Sequence, residues 1–409
     1  MKSYAVFKFR DFSFYLIARL FFLFGLQMQI VIVSWQVYKY TKDPLALGLI
    51  GLSEVIPFLI TSLIGGMAAD KYDRKKLIIF ATSGYLFCVL CLLLMSFDFQ
   101  TVYNQYGVLP VYGVIFLTGI CRGFLSPAQN AFMSQLVPKE FYMYSASWNS
   151  VIWDIAAVGG PAAGGLIYGF TQSDSIPYIC VFSISAVGVF FFSLMHKKPM
   201  PVRTDYAEPL KQKLFAGVRF VWSNQIMLSA LTLDMFAVLF GGAIALLPAF
   251  ADKILHCGPE GLGFLRASPS IGAIIMALIT SIYPVRKHAG KKMLWSVAGF
   301  GLCMISFALS ENYFLSFGIL MLSGMFDFVS VVVRHTTLQL YTPDDMRGRV
   351  SAVNGIFIGT SNELGAFESG LAARLLRLQL SVVLGGLVTL GVVGVTAVKT
   401  PKLRELELE

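Results

Sequence analysis

A helix needs about 20 mostly apolar residues to cross the roughly 30 Å of hydrocarbon in a bilayer, at about 1.5 Å per residue. This 409-residue chain is built of little else. Twelve such stretches can be delimited, at 14–38, 45–69, 76–97, 108–130, 144–170, 176–195, 225–251, 260–284, 292–310, 313–335, 349–373 and 379–398. Only 13% of the residues are charged, against roughly 25% in soluble domains, which excludes a water-soluble globule. Apolar and polar residues do not alternate with the period of two that marks a membrane barrel, so helices must satisfy the backbone in lipid.

Lys and Arg are retained on the cytoplasmic side during insertion. With the N-terminus inside, 23 of the 32 basic residues fall in cytoplasmic segments, including Lys71/Arg74/Lys75/Lys76, Lys197/Lys198 and Lys291/Lys292. The outer loops hold Lys39, Lys42, Lys253, Arg374 and Arg377, and Arg19, Arg122, Arg266 and Arg334 lie within helices or at their ends. The net charge of +9 therefore reports topology, with no nucleic-acid partner implied. The apolar run after Lys2, Lys8 and Arg10 is too long for a signal peptide and reads as the first span. Cys88 and Cys91 form a lone CxxC pair, read as packing or lipid-facing residues rather than a metal or redox site.

Shifting the chain by 205 positions matches Pro138 with Pro343, Glu140 with Asp345, Asn149 with Asn354, Gly160 with Gly365, Gly165 with Gly370 and Leu166 with Leu371. A second echo pairs Pro44 and Gly48 with Pro259 and Gly263. The expected fold is therefore an all-α membrane protein of twelve transmembrane helices in two pseudo-symmetric six-helix bundles. The bundles are 1–195 and 225–398, joined by a cytoplasmic linker at 196–224 and followed by a cytoplasmic tail at 399–409. Repeats of this kind support alternating access to a site near the bilayer midplane.

After the second span comes Gly65-Gly66-Met67-Ala68-Ala69-Asp70-Lys71-Tyr72-Asp73-Arg74-Lys75-Lys76. It resembles the loop motif of the major facilitator superfamily, in which the acid sits against a helix of the other half, here near Arg347 or Arg349. Small residues permit close helix approach, and Asp70 and Arg74 can make charge-assisted contacts that differ between states. The equivalent loop 283–292 keeps Arg286 and Lys287 but no acid, so the latch is expected on one side only. Span five carries Gly159-Gly160-Pro161-Ala162-Ala163-Gly164-Gly165, similar to the GPxxGG element of exporters in this superfamily. Proline bends the helix, and the glycines admit a neighbour. The stretches Gly261–Pro269, Leu233–Phe236 through Gly241-Gly242 to Pro248, and Pro343–Val350 resemble the branch containing enterobactin exporters and macrolide efflux proteins.

An ionisable residue at the bilayer centre costs about 2.5 to 3.5 kcal/mol on insertion scales, so such residues mark pathways or pairs. Glu54, Asp154, Asp234 and Asp327 are the carboxylates, and Arg122 and Arg334 the cations. Arg122 matches the superfamily's fourth-span arginine, linked to proton coupling; the plainer reading is a structural pair with Asp154 or Glu54. Asp154, two helical turns before Pro161, is the first choice for a protonatable site, while Arg334 reads as a helix-end anchor. Glu363 and Glu368 replace the small residues of the equivalent fifth span. Gln27, Gln29, Trp35, Asn149 and Asn354 are candidates to line a cavity, with ordinary interhelical packing as the alternative for each.

The resemblance implies a secondary active exporter of small amphipathic molecules of drug or siderophore type, working as a proton antiporter in a bacterial plasma membrane with both termini inside. Its expected partners are a cargo molecule, protons and the bilayer, with one chain as the working unit and neither cofactor nor metal. An importer or facilitator of the same fold is the alternative. A membrane sensor or enzyme is the reading from another class, but the sequence carries no nucleophile elbow, phosphate loop or metal-ligand spacing.

Overall fold

The structure, a computed structural model, describes residues 2–199, 210–343 and 346–408. Twelve long helices account for most of it: α1 (Arg10–Thr41), α2 (Pro44–Lys71), α3 (Arg74–Ser96), α4 (Leu109–Met133), α5 (Tyr142–Thr171), α6 (Ile176–Leu194), α7 (Gln225–Phe240), α8 (Gly258–Ile282), α9 (Ala289–Leu309), α10 (Tyr313–Tyr341), α11 (Arg347–Leu376) and α12 (Leu378–Lys399). Eleven spans among the described residues are apolar and long enough to cross a membrane. The twelfth, α11, has 30 residues but carries Glu363, Glu368 and Arg374.

Local chemistry sets the helix starts. Asp73 accepts the Lys75 and Lys76 amides at the start of α3, Asn224 those of Ile226 and Met227 at α7, and Asn312 that of Leu315 at α10. Each satisfies donors that a helix leaves orphaned. Lipid-facing stripes are visible at a spacing of seven. Phe80, Phe87 and Leu94 project from α3 and Trp295, Leu302 and Leu309 from α9, all exposed, as expected where hydrocarbon replaces water as the solvent.

The chain divides into two compact units. The first comprises Met1–Lys42, Leu49–Arg203 and Cys257–Ala267, and the second Asp43–Gly48, Thr204–His256 and Ser268–Glu409. The first turns of α2 thus group with the second unit and those of α8 with the first. In the first unit α1 packs along α5 and α6, and α3 along α4 and α6; α1 is the most enclosed span. In the second, α9 packs on α10 and α12, and α7 on α11 and α12.

Three features depart from the expected outline. The seventh span is not one helix: α7 stops at Phe240, Gly241 and Gly242 are non-helical, and a 3-10 turn, Ala243–Leu246, leads into a short helix, Leu247–Lys253. Two successive glycines are poor helix formers, and Gly242 lies against Gly365 and Ser369 of α11. The beginning of the linker is strapped to the first unit, where Asp11 accepts hydrogen bonds from the His196 backbone amide at 3.0 Å and pairs with Lys198 at 2.5 Å. Linker residues 200–209 lie outside the described residues, and Leu210–Ser223 is helical. The tail folds back, so that Leu403, Leu406 and Leu408 join a buried cluster with Ala289, Met293 and Val297 of α9.

Candidate functional site

In the first unit α2 and α4 approach closely through glycines. A side chain at Gly119 would collide with Glu54 and Pro57, and one at Gly123 would lie 2.9 Å from the Ser62 amide and 3.0 Å from the Phe58 carbonyl. This closeness lets Arg122 of α4 form an ion pair with Glu54 of α2, with its guanidinium 5.8 Å from the centre of the Phe58 ring. Of the two acids that the sequence offered Arg122, the fold chooses Glu54. A second cation, Arg19 of α1, donates to Gln129 and to Tyr15, each at 3.1 Å.

In the second unit Arg334 of α10 pairs with Asp234 of α7, and both side chains are buried. The helix-end anchor expected for Arg334 is therefore replaced by an interhelical ion pair. Buried charges tolerate low dielectric only when paired, and α7 supplies the partner one element away in the fold but 100 residues away in the chain.

Asp154 on α5 and Asp327 on α10 differ from these. Both are only partly exposed, and neither has an ion pair or hydrogen bond among the described residues. Asn149 and Asn354, equivalent in the repeat, each present a buried amide oxygen without a partner. Gln29 of α1 also has a buried, unpartnered amide oxygen. Gln27, Trp35, Glu363 and Glu368 are half-buried, and the Gln27 Cβ lies against Gly160, where a side chain would come within 2.6 Å.

The two sequence echoes meet in space. In the first unit Gly165 of α5 lies against the backbone of Pro259 and Gly263 at the start of α8; in the second, Gly370 of α11 lies against that of Pro44 and Gly48 at the start of α2. Equivalent residues thus make equivalent crossings, and only a residue without Cβ fits: a side chain on Gly263 would come within 2.6 Å of the Pro161 carbonyl. Arg374 and Asp43 add an ion pair at 3.2 Å beside the second crossing.

At the corresponding end of the first unit, Asp174, between α5 and α6, accepts from Lys39 at 3.0 Å, from Tyr40 at 2.8 Å and from Tyr168. Burial alone would raise the affinity of this carboxyl for protons, but these three donors outweigh it and hold its pKa below the usual carboxylate value.

Over residues 1–409 the sequence matches the model of a major facilitator superfamily family described as transmembrane secretion effector. The chain belongs to this family. The enterobactin exporter EntS of Shigella flexneri is 29% identical over 374 residues, covering 88% of this chain and 84% of that one. Its counterpart from Escherichia coli O1:K1 is 28% identical over the same span. The fold is similar to solved transporters: a POT family transporter with 5-aminolevulinic acid (TM-score 0.76, 10% identity, 96% of each chain) and a D-xylose-proton symporter (0.72, 12%, 98% and 100%). A bacterial ferroportin homologue also matches (0.69, 16%, 97% and 99%). This secretion effector is a multi-pass membrane transporter, and its family and relatives are transporters rather than enzymes.

Within the transporter, the loop motif divides its labour. Arg74 donates to the Ala69 carbonyl at 3.1 Å and the Ala131 carbonyl at 3.0 Å, so a cation closes the carbonyl ends of α2 and α4. Asp73, not Asp70, caps α3; Asp70 is exposed. Arg349 is partly exposed, while the Arg347 side chain lies outside what is described. The sequence reading missed Gly119 and Gly123, whose spacing of four is the small-residue signature of close helix packing. It also missed Tyr40, Tyr168 and Asp174, which lie in three separate stretches and carry no local signal.

Proposed function

We propose that this transporter exports small amphipathic molecules, of drug or siderophore type, from a bacterial cell across the plasma membrane in exchange for protons. The observation that carries export is the match to a secretion family over all of the chain, with enterobactin exporters covered over 84% of their length. The basic residues of the odd-numbered helix starts support an orientation with both termini inside. Alternating access between the two repeats supplies the transport cycle.

Proton exchange needs a carboxylate that can change state without breaking the fold. Glu54 and Asp234 are each committed to an arginine. Asp154 has no ion-pair partner among the described residues and lies on the helix that carries the glycine-proline string. It can accept and release a proton without disrupting an ion pair, which makes it the first coupling residue, with Asp327 the second.

In proteoliposomes carrying a fluorescent amphipathic drug, an imposed pH gradient should drive transport by the native chain. Asp154→Asn should reduce that response to background while leaving gradient-free exchange of cargo, and Arg122→Ala should impair both. Transport by the native chain that ignores the pH gradient would end the proton assignment. Accumulation of cargo by whole cells, rather than depletion, would end the export assignment.

A further inference from the structure

Where α2 passes into α3, the first unit has an open cleft of about 440 Å³. Its charged lining is three lysines and one acid: Lys71 at the end of α2, Lys76 in the first turn of α3, Lys197 at the start of the linker, and Asp73 between the two helices. Asp73 is already engaged, since one of its oxygens accepts the Lys75 and Lys76 amides and the other lies 3.6 Å from the Lys197 ammonium. Lys71 and Lys76 are exposed and form no ion pair among the described residues; the Lys71 ammonium lies 5.5 Å from the centre of the Tyr72 ring. The cleft therefore carries a positive charge that its own acid does not balance.

The rest of the cleft is apolar and opens on the lipid-facing side of α3. Leu77 and Phe80 line it, and Phe80 is 74% exposed. At about 100° per residue, Lys76, Phe80, Phe87 and Leu94 fall within an arc of about 40° on one face of the helix. The exposed stripe of Phe80, Phe87 and Leu94 runs about 21 Å at 1.5 Å per residue, more than half of the roughly 30 Å hydrocarbon core. Retention of basic residues at a helix end accounts for lysines here. It does not account for their grouping around a cleft that continues into an apolar stripe deep enough to follow an acyl chain through one leaflet.

We propose that this cleft is a binding site for an anionic phospholipid, with the phosphate among Lys71, Lys76 and Lys197 and an acyl chain along Phe80, Phe87 and Leu94. Clustered lysines between membrane helices are suited to anionic headgroups, and each ammonium can donate to a phosphate oxygen. A soluble phosphate would use the lysines and leave the stripe idle, while a zwitterionic lipid would use the stripe and bring a cation towards the lysines. The second unit offers an internal comparison. In α9, Lys291, Trp295, Leu302 and Leu309 repeat the spacing, but there the chain supplies its own anion: Glu407 of the tail lies 3.8 Å from His288 beside the start of α9. Backbone hydrogen bonds from Gly290 to Leu406 and from Leu408 to Arg286 hold it there. No described segment brings an acid to Lys71 and Lys76 in this way.

The test uses the purified full chain in detergent micelles, without cargo or gradient, so its result is independent of what is transported and in which direction. Dioleoylphosphatidylglycerol, dioleoylphosphatidylcholine and inorganic phosphate are titrated separately. Native mass spectrometry counts bound lipid, and thermal melts report affinity, because a ligand of the folded state raises the melting temperature. Phosphatidylglycerol should bind saturably; phosphatidylcholine with the same chains, and phosphate alone, should bind at least tenfold more weakly. Lys71→Gln with Lys76→Gln should weaken phosphatidylglycerol binding at least tenfold and Phe80→Ser at least threefold, with the lipid-free melting temperature unchanged because all three side chains are exposed. Lys291→Gln with Lys292→Gln, which removes as much charge from the second unit, should leave the affinity within about twofold. Equal binding of phosphatidylcholine, displacement of the lipid by inorganic phosphate, native affinity in the Lys71/Lys76 variant, or an equal loss in the Lys291/Lys292 variant would each overturn the site. Binding that emerges only after Asp205→Asn with Glu208→Gln would show that the linker's own acids fill the cleft, and would overturn it as well.

Discussion

Asp234 and Arg334 illustrate what a single residue contributes in this protein. Their side chains are buried to 7% and 4% exposure, where a lone charge is untenable. Removing one partner of a buried pair costs about 3–5 kcal/mol, whereas replacing both with apolar residues is often neutral. Asp234→Ala should therefore destabilise the second unit by about that amount, and Asp234→Leu combined with Arg334→Met should restore most of it. Thermal melts of the purified single and double variants check this; equal losses in both would show that the pair is not the cause. Glu54 and Arg122 are more exposed, at 13% and 31%, so screening reduces their energetic weight. The same sequence pattern, an acid and a base in separate spans, thus has different energetic consequences, and burial is the reason.

At the scale of elements, helix ends do more than connect. The strap of Asp11 on His196 and Lys198, the Arg74 contacts to two helix ends and the returning tail each close an end that would otherwise expose backbone or apolar surface. The tail also hydrogen-bonds through its backbone, with the Gly290 amide donating to the Leu406 carbonyl at 3.2 Å and the Leu408 amide to that of Arg286 at 3.0 Å. Leu403 is fully buried against α9. Leu403→Ala should cost about 2–5 kcal/mol, the usual range for truncating a buried leucine, and lower the melting temperature of the unit accordingly. Unchanged melting would mean that the tail is not packed as described. The tail's three leucines, Leu403, Leu406 and Leu408, are interspersed with charged residues and follow no single period, which is why the sequence alone assigned it no packing role.

For the whole molecule, twelve helices impose an even number of crossings, so both termini share a side. A phosphatase reporter inserted at Asn104, in the helix Phe99–Tyr106 that joins α3 to α4, should be active outside the cell, and a fluorescent protein fused after Glu409 should fluoresce inside. The opposite pattern would reverse the orientation. Helix count and duplication were legible in the chain because hydropathy is a local property and the 205-residue echo needs only counting. The coupling candidates were legible as residue types, since any acid in an apolar run stands out. Their partners were not: Arg122 had two acids within reach on paper, and Arg334 had its true partner on a helix that the chain visits 100 residues earlier.

The sequence by itself determined that this is a duplicated twelve-helix membrane protein, because the cost of exposing backbone and charge to lipid leaves few alternatives, while the Gly65–Lys76 and Gly159–Gly165 motifs carried its resemblance to the major facilitator superfamily. Only the tertiary structure decided which glycines meet, so that the Gly165 and Gly370 echoes prove to be equivalent crossings. It also decided which acids are paired and that the seventh span breaks at Gly241-Gly242. These all depend on distances between helices far apart in the chain, and composition and periodicity along one helix hold no information about its neighbour.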